Sequence, residues 1–112
     1  MPSPELFAVL AEPTRMRIVE LLLERPRAVG ELVDALGDAS QPATSKHLKV
    51  LRDAGLVHVH PEAQRRVYAL AAEPLQQLDD WLAPYRSLWD GRLDALERHL
   101  DAHAEPPRRS RR

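Results

Sequence analysis

The chain has 112 residues, 44% hydrophobic and 29% charged, with a net charge of −1, which fits one small globular domain. It contains no cysteine, so disulfides, thiolate metal sites and cysteine nucleophiles are excluded. No apolar run approaches the roughly 20 residues needed to span a bilayer. The first residues also lack a basic stretch followed by an apolar one, so a soluble cytoplasmic protein is expected.

Leu6, Phe7 and Leu10 predict a short first helix. Pro13 at an N-terminal position, followed by Met16, Ile18, Val19, Leu22 and Leu23, predicts a second that ends near Arg25-Pro26. "AVGELVDALG" gives a third, with Leu32, Val33 and Leu36 inward and Gly37 as its C-cap. Ser40 or Gln41 can cap a fourth, with Pro42 in the first turn, where a missing N–H costs nothing, and Gly55 at its end. "LVHVH" and "RRVYAL" alternate as two strands, joined by "PEAQ" with Pro61 in the second turn position. From Pro74, the apolar residues Leu75, Leu78, Leu82, Tyr85, Trp89, Leu93, Leu96 and Leu100 recur at steps of three and four. They predict a long amphipathic helix, which Pro84 should kink or split. Residues 1–104 then form the domain and residues 105–112 a disordered basic tail. The expected fold is mainly α (α+β), a winged helix-turn-helix. It has about five helices, a two-stranded β-hairpin wing and a long C-terminal helix.

Charge is unevenly distributed along this order. Residues 40–66 hold five basic against two acidic residues, and the tail adds Arg108, Arg109, Arg111 and Arg112. The remainder carries 7 basic and 15 acidic residues, a balance of −8. Positive charge gathered in one segment of an otherwise acidic chain suits a surface that meets a polyanion.

The fourth helix carries that segment. On a helical wheel Gln41, Ser45, Lys46, Lys49, Arg52 and Asp53 share one broad arc, with Thr44 at its edge. Ala43, Val50, Leu51 and Ala54 fall opposite, and Leu48 lies near the border. Short hydrogen-bonding side chains near a helix N-terminus can reach base edges, while lysines and main-chain N–H groups meet phosphates. The third helix and the turn "GDAS" supply the first half of a helix-turn-helix. Arg65 and Arg66 beside the hairpin turn complete a wing that touches the flanking backbone.

The blocks "LAEPTRMRIVELL", "VGELVDALG", "SQPATSKHLKVLRDAGLV" and "RRVYAL", in that order, resemble the ArsR/SmtB family of winged helix-turn-helix repressors. The resemblance covers residues 5–100, and its third block is the most specific. It implies a bacterial homodimer, paired through its first and last helices, on a two-fold symmetric operator. By position, Gln41, Thr44, Ser45 and Lys46 match the base-reading half of the recognition helix. Lys49 joins them as a phosphate contact, and Arg65 and Arg66 match the wing. The implied dimer interface takes Leu6, Phe7, Leu10, Trp81, Tyr85, Leu88, Trp89 and Leu96.

Many members of that family sense metals, and here the chain departs from them. The third helix has no cysteines, and Asp101-x-His103, with His99 one turn before, lacks a second His-x-x-Glu partner. These residues read as polar groups of a solvated helix end. His58 and His60 make two ligands without a third, and His47 reads as a partly buried, hydrogen-bonded residue. No metal or other cofactor is expected. No Gly-rich phosphate loop or His–carboxylate motif supports an enzyme. The expectation is a sequence-specific DNA-binding regulator, a dimeric repressor acting through helix 41–54 and the 61–66 wing. Its partners would be double-stranded operator DNA and a second copy, with no membrane. Two alternatives stand beside it: a helical dimer that binds other proteins, and a metal-responsive repressor using the C-terminal histidines.

Overall fold

A computed structural model describes residues 1–102 of the chain. In chain order they form α1 (Pro4–Ala11), α2 (Pro13–Glu24), β1 (Arg27–Ala28), α3 (Val29–Leu36) and α4 (Gln41–Asp53). Then come β2 (Val57–Glu62), β3 (Arg65–Leu70) and α5 (Ala72–Ala102). His103 and the expected basic tail at 105–112 lie outside the described residues. The chain divides into two compact units, Met1–Leu78 and one that begins at Asp79.

Local chemistry sets the helix ends of the first unit. The Ser3 hydroxyl accepts the Leu6 N–H at the head of α1, and the Glu12 carboxylate accepts the Thr14 N–H at the head of α2. Pro4 and Pro13 occupy first turns, where no N–H is required. Gly37 (φ 81°) closes α3 by donating its N–H to Val33 O. A second glycine, Gly55 (φ 79°), ends α4 as expected. Its N–H bonds to Arg52 O and the Leu56 N–H to Leu51 O, a Schellman pair that turns Leu56 into the core beside Leu51.

That core consists of Leu6, Ile18, Leu21, Leu22, Leu32, Leu48, Leu51, Leu56 and Val57. In α2 the buried set is Ile18, Leu21 and Leu22, whereas Met16 and Leu23 are exposed. Steps of three and four from Ile18 reach Leu21 and Leu22 but leave Leu23 a residue beyond the seam.

The sheet has three strands in the order β1-β3-β2, all antiparallel, where the sequence suggests two. β1 pairs Arg27 with Tyr68 and Ala28 with Val67. Two residues are too short to show any alternation in the sequence. Pro61 also moves, out of the turn and into β2, where it faces Arg66. β2 is an edge strand, so a proline there need not break an inner ladder. The turn shrinks to Ala63-Gln64, with Ala63 at φ 57° in the place a glycine usually takes.

In the second unit α5 continues through Pro84 as one helix. Pro84 has no N–H to offer the carbonyl one turn back. Arg86 donates to the backbone carbonyl and to the carboxylate of Asp79, two turns back, while the Ser87 hydroxyl donates to Pro84 O. Trp81 and Tyr85 pack with ring centroids 5.3 Å apart. Tyr85, Leu88, Trp89, Leu93 and Leu96 are all exposed on the single chain. No helix among the described residues is long and apolar enough to cross a membrane. The fold is a mainly α winged helix-turn-helix, with α3 and α4 as the two-helix unit and β2–β3 as the wing.

Candidate nucleic-acid interface

α4 is held by the face that carries Thr44, Leu48 and Leu51, all fully buried. Steps of four and three put these on one side of the helix. Thr44, expected at the edge of the outward arc, is instead fully buried, and its hydroxyl donates to Ser40 O at 2.8 Å. The rest of the wheel turns with it. Leu48 moves from the border to the centre of the buried face, while Ala43 and Val50 move outward. Leu6 is a second correction, since it is buried in the core of its own chain and is withdrawn from the proposed interface. Leu10 is half-buried against the same core, and Phe7 is exposed.

The side of α4 facing away from the core presents Gln41, Ser45, Lys46, Lys49 and Arg52, all exposed. Its N-terminus is capped by the Ser40 hydroxyl, which accepts the Ala43 N–H at 3.2 Å. Against β3, the helix forms a concavity of about 660 Å³ whose lining includes Gln41, Ser45, Lys49, Arg52, Arg66 and Tyr68. Of the expected contact residues, Gln41, Ser45 and Lys49 of α4 and Arg66 of the wing line one concavity, whereas Thr44 and Lys46 do not. Sequence reasoning placed Arg52 on the outward arc but gave it no role, and it missed Tyr68. No spacing signal shows that Tyr68 of β3 lines a concavity with α4.

Ion pairing divides the cations of this surface. Lys49 is 3.0 Å from Asp53, one helical turn on. Arg65 lies 3.7 Å from Glu31 and 3.8 Å from Glu62. Among the described residues the side chains of Lys46, Arg52 and Arg66 have no ion-pair or hydrogen-bond partner. Glu31 also accepts the Ala28 N–H at 2.8 Å, half of a capping box to which Ala28 can return no side-chain bond. That backbone bond, then the Arg25 hydrogen bond and the charges of Arg25 and Arg65, hold its carboxyl below the ordinary glutamate pKa.

A polar cluster on the other side of α4 fixes its seating. His47 Nε2 is 3.2 Å from Glu12, and Arg15 contacts His47 Nδ1 at 3.3 Å while donating to Val9 O at 2.8 Å. A guanidinium can only donate, so Nδ1 accepts and Nε2–H donates to the carboxylate. His47 is the half-buried, hydrogen-bonded residue expected of it. On the wing, the rings of His58 and His60 lie 6.4 Å apart and both are exposed. No group of three or more potential metal ligands converges among the described residues.

A sequence model described as "Bacterial regulatory protein, arsR family" matches residues 12–59. The chain is 43% identical over 74 residues to the HTH-type transcriptional repressor SmtB of Mycobacterium tuberculosis, covering 66% of this chain and 54% of that one. It is 36% identical over 77 residues to the transcriptional activator HlyU of Vibrio cholerae, covering 69% and 70%. Among solved structures it is similar to a homodimeric winged helix-turn-helix DNA-binding domain from Mycobacterium bovis, described as a possible ArsR-family regulator. The TM-score is 0.60 at 28% identity, covering 81% of each chain. The chain spans between about a half and two thirds of the length of the mycobacterial curated relatives it matches.

Proposed function

This chain belongs to the ArsR family of bacterial regulatory proteins, and from that premise we propose that it is a dimeric, sequence-specific DNA-binding repressor of the cytoplasm. Its role is regulatory rather than catalytic. The observation that carries the reading is α4 itself. Three buried residues and the His47–Glu12–Arg15 cluster fix its rotation, so that Gln41 and Ser45 stand outward beside unpartnered Lys46, Arg52 and Arg66. In the major groove, Gln41 and Ser45 would donate to or accept from base edges. The cations and the capped helix N-terminus would meet phosphates. Two copies joined through α1 and α5 would place two such helices on successive turns of the duplex, and occupying a promoter would exclude polymerase.

The test is a binding titration against salt, using one promoter fragment and a scrambled competitor. Three unpartnered cations per chain give six phosphate contacts per dimer, and hence a slope of log K against log salt of about −5. Arg66→Gln should reduce the magnitude of that slope by about 1.8 on both DNAs. Gln41→Ala should instead lose about 1–3 kcal/mol of discrimination between them. Equal weakening of both DNAs by Gln41→Ala would overturn the base-reading role. Binding insensitive to salt would overturn the interface.

A further inference from the structure

The two arginines of the wing have different surroundings. Arg66 is exposed and unpartnered among the described residues, whereas Arg65 lies between the carboxylates of Glu31 and Glu62. Glu31 is no loose surface acid. Its carboxylate is half-buried and fixed on one side by the Ala28 N–H at 2.8 Å and on the other by Arg25 at 3.2 Å. Glu62 is Arg65's direct partner across the hairpin, so it stays beside the arginine wherever the wing moves. With Arg25 counted, two guanidiniums against two carboxylates leave the cluster without net charge, so Arg65 brings no excess positive charge to a phosphate. Glu31 and Arg65 line a concavity with Gln41 and Arg66, so this pair faces the N-terminal end of α4 rather than a remote surface.

Resting on the DNA-binding reading above, we propose that Glu31 and Glu62 are specificity residues that hold Arg65 out of the phosphate-contact set. An arginine released there would add counterion release on any sequence, raising affinity for bulk DNA without improving discrimination. Holding it back leaves phosphate contact to Lys46, Arg52 and Arg66, and sequence reading to α4.

The experiment measures binding of the full chain to a labelled mixed-sequence duplex of about three helical turns, over a range of salt. The variants are E31Q/E62Q, E31Q/E62Q/R65Q and R65Q. Glutamine at 31 can still accept the Ala28 N–H, so the head of α3 is kept, and thermal melting checks each variant. E31Q/E62Q should tighten binding and steepen the slope by about 1.8, for two released arginines per dimer. Adding R65Q should restore the original slope, and R65Q alone should leave it unchanged. The proposal is overturned if E31Q/E62Q keeps the original slope. It is equally overturned if the triple variant stays steep, which would indicate general carboxylate repulsion, or if R65Q alone flattens the slope. R65Q alone decides the matter if the carboxamide variants fail to fold. An unmodified protein without salt-dependent binding would instead sink the DNA-binding reading itself.

Discussion

Glu31 shows how a single side chain acquires a pH signature from its neighbours. The Ala28 N–H, Arg25 and Arg65 all favour its ionised form, so its folded-state pKa lies below the ordinary glutamate value. As pH falls, the unfolded chain binds this proton before the folded one does. The contribution is therefore complete above the ordinary glutamate value and is lost as pH drops through the lower folded-state value. E31Q keeps the bond to Ala28 and deletes the charge, so it should flatten that acidic limb in a profile of melting temperature against pH. A limb of unchanged steepness would show that these neighbours do nothing for stability. None of this was visible in the sequence. Arg25 caps the end of α2, Glu31 lies in α3 and Arg65 in β3, and the pairing of β1 with β3 is what brings Arg65 to the other two.

At the scale of elements, α4 decides whether the account holds. Its buried face predicts that Leu48→Ala costs about 2–5 kcal/mol in chemical denaturation, because the side chain is fully enclosed. Lys46→Ala on the opposite side should stay within about 0.5 kcal/mol. If the two substitutions cost the same, the helix is seated on another face. The ends of α2, α3 and α4 were legible from Pro13, Gly37, Ser40 and Gly55, because caps and positive-φ glycines act locally. The rotation of α4 was not. Thr44 looks polar in isolation, and only its hydrogen bond to Ser40 O lets it replace an apolar residue in the core. Likewise β1 escaped because two residues carry no period, and Pro61 entered a strand because that strand is an edge.

For the whole molecule, α5 raises the question of what covers its apolar face. Trp89 is 43% and Leu88 60% exposed, and Tyr85, Leu93 and Leu96 continue the exposed apolar series. Large aromatic and aliphatic groups repeated along one helix mark an association surface. The proposed dimer buries this face, so Trp89→Ala should convert a dimer to a monomer in sedimentation at micromolar concentration and abolish DNA binding with it. A monomer in the unmodified protein would contradict the dimer. The sequence showed this stripe plainly, because a period of three and four over many residues survives any local error. It did not show that Leu6 belongs to the core of its own chain.

The central claim is that paired α4 helices read a symmetric DNA site, and selection of bound sequences from a random duplex pool tests it most directly. The full chain should enrich a two-fold symmetric site whose half-sites are centred about 10 base pairs apart, or a multiple of one turn. Gln41→Ala should blur defined positions within each half-site while retaining the spacing. Recovery of duplexes with no shared sequence, at affinities equal to bulk DNA, would contradict the account.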